Sequence, residues 1–453
     1  MSQSIVVSRP IPELRTFGSS TLKVRAAIAA VVLLYVLALL ANYRYVIGEY
    51  FTGRGFSFSL ASLGYINLTL FLTVLPVAWM PVNSNRPTVI LYYFLYLIVY
   101  IPACVVPAFT EHAGAAALKL QLLLAASFAI VGLTYSFRTR DIHRLSLSRS
   151  EYLALIGCFT AITFAWIAQT IGVKLQIHRF ADVYLVRDNY LEMVNSHSRL
   201  LVYLIGWQAN VIGPLLMALA WIYRSAIFGF AAVLSQLWLY SITGYKSFLM
   251  AIPFVVVVFW LSKKRQPGSM MFTLGMLMLA MVVFCSVADL YFGGFDFSTV
   301  LVRRALLTPG RQSFYYFEFF SHNPKVMLSH SVLSGVFDYP YEVPPPRLIG
   351  RTYMGRYATN ANGNLWADGF ANFGMAGMFG ASMILAAFCW VYDCVARRTD
   401  GRVAAVLLGM PLISLANSAL LTTLLTHGLG LALVMLMLHP RNRTAAREIR
   451  ARA

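Results

Sequence analysis

The sequence predicts an all-α protein that crosses a membrane about twelve times. Three observations predict it. Hydrophobic residues make up 59% of 453 and charged residues 12%, with a mean hydropathy of +0.68, a balance outside that of soluble domains. Apolar runs long enough to cross ~30 Å of hydrocarbon recur along the chain. Basic residues, finally, collect in alternate gaps between those runs, which is how multi-span proteins encode orientation.

In order, residues 1–24 (MSQSIVVSRPIPELRTFGSSTLKV) form a polar, basic N-terminal segment expected on the cytoplasmic side. Its length before the first apolar run argues for a retained helix and against a cleaved signal. Nine spans follow at roughly 25–43, 61–82, 88–107, 117–137, 151–172, 200–222, 226–243, 247–262 and 270–291. They form a membrane domain over 25–291, interrupted by an external loop at 173–199. Residues 292–370 are a long polar interruption, expected to be a large external loop. Spans at 371–393, 403–418 and 421–438 complete a second membrane segment, 371–438, and 439–453 is a basic cytoplasmic tail. The link Asn417-Ser418-Ala419 between the last two spans is short and hardly polar.

The charges orient this arrangement. With the N-terminus inside, 21 of the 36 Lys and Arg fall on one side, including FRTRDIHR at 137–144, KKR at 263–265, ARRTDGR at 396–402 and the tail. Both termini are then cytoplasmic. The formal net charge of +19 would suggest nucleic acid in a soluble protein. Here the cations sit between apolar runs, no nucleic-acid motif accompanies them, and topology with anionic lipid explains them first. The five cysteines, Cys104, Cys158, Cys285, Cys389 and Cys394, lack CxxC spacing and indicate neither a zinc site nor a disulfide framework.

Cations on the outer side oppose the orientation signal and need another reason. Arg303, Arg304, Arg311, Lys325, Arg347, Arg351 and Arg356 lie in the long loop; Lys174, Arg179, Arg187 and Arg199 lie in or flank 173–199; Lys246 sits in the turn TGYKS. A polyanionic ligand at the outer surface would supply that reason, because guanidinium forks bind phosphate oxygens in pairs. In IHRFADVYLVRDNYLEMV, Ile177, Phe180, Val183 and Tyr184 recur at helical spacing, which predicts an amphipathic external helix; its charges also suit a solvated helix with paired side chains. In the long loop, Arg303-Arg304 precedes an apolar turn, Pro309-Gly310 is expected to break the chain, and an aromatic run carries Glu318. Aromatic faces suit sugar rings, or simply a membrane interface. Asn360, Asn362 and Asn364 offer amides that read hydroxyls, and turn formation would also explain them. Trp366 and Asp368 stand before a helix whose Gly374, Gly377 and Gly380 suit close helix packing.

Candidate bases for deprotonating a hydroxyl are Glu318, Asp338 and Asp368, with Asp182, Asp188, Glu342, His178, His322 and His330 also in reach of the outer side; the residues alone do not choose among them. His427 in the last span reads as a hydrogen-bonded intramembrane group. The chain has no GxxxxGK[ST], HExxH, GxSxG or DxD. ATP and cytosolic sugar nucleotides are therefore disfavoured as energy sources, and a reaction outside must use a donor already activated in lipid. No metal or other cofactor is expected.

Three stretches, GYKSFLMAIP at 244–253, FDFSTVLVRRALLTP at 295–309 and NANGNLWADGFANFGMAG at 360–377, together with the topology, resemble the Wzy family of O-antigen and polysaccharide repeat-unit polymerases, inner-membrane enzymes of Gram-negative bacteria. The resemblance implies a metal-independent, GT-C-like glycosyltransferase with two large periplasmic loops. Such an enzyme moves a growing glycan from undecaprenyl diphosphate onto the non-reducing end of a lipid-linked repeat unit. It implies Lys246, Arg303 and Arg304 on the diphosphate side, and Asn360, Asn362 and Asn364 at the loop end, where Trp366 would join them against sugar. Arg179, Arg187 and Arg311 join the diphosphate set on charge placement alone, as do Arg347, Arg351 and Arg356. Expected partners are the lipid-linked oligosaccharide, as donor and acceptor, membrane lipid, and a chain-length regulator. An O-antigen ligase, transferring the same glycan to lipid A-core, shares this architecture. A lipid-linked-sugar transporter would instead bury charge near the midplane in repeated, broken helices, and a scaffold holding the chain-length regulator would need no chemistry.

Overall fold

In hydrocarbon a backbone N–H has no water to bond, so a long apolar run must close its hydrogen bonds within itself as a helix. The computed structural model, which describes residues 19–142, 144–173, 175–176, 183–197, 199–263, 266–355 and 359–440, follows that rule. Its helices are α1 (Thr21–Tyr50), α2 (Leu63–Ala78), α3 (Val89–Phe109), α4 (Ala115–Ser136), α5 (Arg149–Thr170), α6 (Val183–His197), α7 (Leu200–Tyr223) and α8 (Ala226–Thr243). They continue as α9 (Lys246–Leu261), α10 (Pro267–Phe292), α11 (Ser298–Leu307), α12 (Thr308–His322), α13 (Pro345–Met354), α14 (Leu365–Ala396), α15 (Gly401–Leu415) and α16 (Leu420–Leu438). Among the described residues nine of these are long and apolar enough to cross a membrane, and α2, α9 and α15 are shorter apolar helices. The only β pairing described is an isolated bridge between Ser334 and Phe337. This is a polytopic, all-helical membrane protein.

Local chemistry sets the helix ends. Ser148 and Glu151 form a reciprocal capping box at the start of α5, and the Asp400 carboxylate caps α15 through the Arg402 N–H. Pro267 opens α10 and Gly293, in the left-handed region at φ 65°, closes it. The helix at the centre is α3, whose apolar window is 94% buried. It runs in π geometry over Tyr96–Tyr100 and carries a series of wholly buried tyrosines, of which Tyr93, Tyr96 and Tyr100 donate their hydroxyls to carbonyls of Pro81, Thr73 and Leu72. Those bonds let phenols enter an apolar core without an unsatisfied donor. Around α3, α1 packs on α10, α4 on α14, and α7 on α8. A second, smaller core joins Ile167, Tyr190, Leu201, Ile205, Leu239 and Phe248.

Connections meet at two opposite ends. At one, Arg86 donates to Thr134 O at 2.9 Å, Arg144 donates to Arg398 O at 2.9 Å, and Leu147 N donates to Leu438 O at 3.1 Å. At the other, Ser59 N donates to Phe109 O at 2.9 Å and the Arg311 guanidinium donates to Gly55 O.

Three expectations are corrected here. The 292–370 interval is not a loop in form: α11, α12 and α13 occupy much of it, and α14 begins at Leu365 instead of 371 because the Asn364 side chain caps it. Pro309-Gly310 does not break the chain. Proline lies where the π turns of α11 pass into α12, with Leu307 and Thr308 both at helical angles, so the helix runs on through it; Gly310 sits so close to α3 that a Cβ there would fall 2.6 Å from Pro102 O. The glycines of α14 serve a different purpose from the expected one too. Phe373 and Gly374 leave helical geometry, with Gly374 at φ 61°, and a Cβ on Gly377 would overlap the Gly369 carbonyl oxygen. They allow a break within α14 itself; around Gly380 there is open space.

Candidate functional site

The site is built on the unit α11–α12, which crosses one end of the bundle. Asp289, buried near the end of α10, accepts the backbone N–H groups of Phe297 and Ser298 at 3.0 and 2.6 Å. Asn42 of α1 donates its amide to Ser286 Oγ at 2.9 Å and to Ser298 Oγ at 2.7 Å. These bonds turn the chain back over α1 and start α11, whose ten residues run as a π-helix. A π segment departs from the normal register at a cost and is found most often where function needs the displaced side chains.

On that unit Arg303 lies with its guanidinium carbon 4.2 Å from the Phe51 ring centroid, and Arg304 is exposed beside it. Arg311, two turns on, is only 3% exposed: it donates to Gly55 O, lies 3.7 Å over Phe56 and 5.4 Å from Tyr315. Planar guanidinium groups tolerate such burial because a ring face and a carbonyl satisfy them. From the turn between α3 and α4, His112 stacks on Phe314 at 4.9 Å and meets the edge of Tyr315 at 5.6 Å. Tyr315 stacks nearly parallel on Tyr353 of α13, at 4.3 Å and 7°. Tyr353 lies beside Glu318, and burial first, then that carboxylate, raise the phenol's pKa. Burial lowers the pKa of His112, against the opposing pull of Glu318 and Glu111.

One face of α12 therefore brings together a cation, a half-exposed carboxylate, an imidazole and two stacked phenols, with Arg303 and Arg304 at the preceding turns. Its other face is structural. Ser313 accepts from the Asn364 amide at 2.7 Å, and the Tyr316 hydroxyl donates to Ala361 O at 2.9 Å, fastening the segment before α14.

Of the residues expected at the diphosphate, Arg303, Arg304 and Arg311 share this unit. Arg187 and Lys246 do not: Arg187 lies 4.8 Å over the Tyr245 ring, where α6 meets the start of α9 at the smaller core. Arg179 lies outside the described residues, as do Lys174, His178, Asp182 and Arg356. Among the carboxylates, Glu318 is in the cluster, Asp338 stands exposed in the segment after α12, and Asp368 is half-buried on α14 near Tyr316. Glu342 pairs with Arg351 at 3.5 Å on the surface. Asn360 and Asn362 are exposed.

Asn364 and Trp366 are corrections. Asn364 is 1% exposed, its oxygen accepting from the N–H groups of Trp366 and Ala367 and its nitrogen donating to Ser313. Trp366 is equally buried, donates Nε1–H to Ser382 Oγ at 2.9 Å and packs its edge on Phe128. Both hold α14 in place and neither presents a face to a sugar.

His112, Glu111 and Tyr353 were absent from the expected set. The TEHAG turn carried a usable signal, since the charge pattern assigns it to the same side as 292–370; nothing local to Tyr353 marks it. Comparison with protein-family models, with curated proteins and with solved structures finds no match.

Proposed function

We propose that the protein is a glycan polymerase of the lipid-carrier kind, acting at the outer face of a bacterial inner membrane with about twelve spans and both termini inside. One observation carries this reading: Arg303, Arg304, Arg311, His112, Glu318 and Tyr353 converge on a single helical unit at one end of an otherwise apolar bundle. Segments given to the same side by charge also meet at the same end, which supports the orientation. In the reaction, the acceptor hydroxyl oxygen bonds to the anomeric carbon of the donor glycan while the bond from that carbon to the diphosphate oxygen breaks. The diphosphate leaves with the electron pair, and Arg303 and Arg304 offset its charge. The hydroxyl proton passes to Glu318, which lies beside Tyr353. The stacked phenols and the exposed Asn360 and Asn362 suit sugar faces and hydroxyls.

The test is elongation by the purified protein in lipid, supplied only with undecaprenyl-diphosphate-linked repeat units. A ladder of longer glycans is expected. Transfer solely to added lipid A-core would replace the reading with a ligase, and movement of the lipid-linked sugar across the bilayer without lengthening would replace it with a transporter.

A further inference from the structure

At the end of the bundle opposite α11–α12, three connections surround a cavity of about 360 Å³. Ser84, Asn85, Arg86 and Lys263 stand at its polar side, over an apolar floor that includes Ile90 and Met270. The volume is in the range of small-molecule sites, and the mixture of apolar floor with few polar groups is their usual lining.

The charges favour an anion. Arg86 is fixed in place by donating to the carbonyls of Thr134 and Phe137, so its position needs no ligand to order it. Lys263 and Arg402 both face the Phe259 ring, at 5.0 and 5.5 Å. Two carboxylates lie nearby, and both are engaged: Asp400 pairs with Arg402 at 2.6 Å, and Asp393, the acid that acts on Arg86, accepts from Thr88 N and Thr88 Oγ1 at 3.2 and 2.7 Å. The N-terminal turn of α10, with Pro267 on the cavity wall, adds the positive end of a 26-residue helix. Hydroxyl, amide, ammonium and guanidinium groups around one opening are the donor set that a phosphate takes.

We infer that this cavity binds a phosphate group, either of a soluble phosphorylated molecule or of an anionic lipid headgroup. The site lies at the other end of the fold from the proposed chemistry, and it does not depend on that reading. Occupancy would tie together the α2–α3, α9–α10 and α14–α15 connections, and so stiffen the bundle from the side away from α11–α12.

The test uses the full chain in phosphatidylcholine nanodiscs. Thermal unfolding is followed with inorganic phosphate or with chloride at equal ionic strength, and again in discs containing phosphatidylglycerol. The exposed Lys263 is changed to Gln and to Glu, with Lys119→Glu on α4 as a charge control. A saturable rise in the unfolding midpoint with inorganic phosphate, weakened about tenfold in apparent affinity by Lys263→Glu and untouched by Lys119→Glu, supports a soluble ligand. The same Lys263 dependence seen only with phosphatidylglycerol supports the headgroup. Equal responses to phosphate and chloride, together with no Lys263-dependent effect of phosphatidylglycerol, overturn the proposal.

Discussion

Glu318 is where proposed chemistry and observed geometry meet most directly. Amide replacement keeps its shape and removes its basicity, so Glu318→Gln should lower elongation about 10²- to 10⁴-fold while lipid-linked donor still binds; wild-type ladders in that variant would remove Glu318 as the base. Arg303→Ala and Arg304→Ala should each cost roughly tenfold or more in turnover without loss of membrane insertion, because each would withdraw charge from a leaving diphosphate. Turnover at the wild-type rate in both would remove the diphosphate role. His112 gives a pH test. Burial depresses its pKa in the fold, so the unfolded chain takes up the proton first as pH falls through about 6.5. The stability it contributes is complete above that value and declines as pH falls towards the folded-state pKa. The unfolding midpoint in detergent should therefore drop between pH 7.5 and 5 by more in the wild type than in His112→Gln. Equal drops would mean that His112 is not the group responsible.

At the scale of elements, α11–α12 is held by contacts at both ends of its path. Gly310→Ala would force a methyl group against the Pro102 carbonyl, and the strain of an overpacked contact is about 1–3 kcal/mol. Asn364→Ala removes the cap of α14 and the partner of Ser313, a loss of about 1–2 kcal/mol by cap and hydrogen-bond values. Both should lower the unfolding midpoint, and Gly310→Ala should lower elongation as well, since it displaces the helix carrying Arg311 and Glu318. A Gly310→Ala protein with the stability of the wild type would show that α12 can move off α3 freely.

For the whole molecule, orientation is the property to test. Cysteine introduced at Asn362 should react with a membrane-impermeant maleimide in intact spheroplasts, and cysteine introduced at Lys263 only after permeabilisation, above the background of native thiols. The reverse pattern would place the α11–α12 end inside and end the polymerase reading. The cations expected on the outer side also divide at this scale. Arg187 and Lys246 gather at the smaller core, whereas Arg303 and Arg311 gather on the main one, so the former pair would have to act on a different part of a long lipid-linked substrate.

Hydropathy and loop charge are local along the chain, and each membrane helix must satisfy its own backbone. The positions of the apolar helices were accordingly legible from residues alone, to within a few positions for most: 226–243 was read where α8 lies, and 149–170 was read as 151–172. The cluster at Arg303, Arg311 and Glu318 was legible in part, as two cations that oppose the expected orientation and a carboxylate in an aromatic run. Contacts across the chain were not. Arg311 finds Gly55 and Asn42 finds Ser298 over 256 positions each, and no periodicity encodes such a pairing. The exposure of Asn364 and Trp366 was misread for the same reason, because a polar residue at a helix entrance can face water or cap the helix inward. Which of these holds depends on the neighbours that packing supplies, here Ser313 and Ser382, and those come from other turns and other helices of the folded bundle.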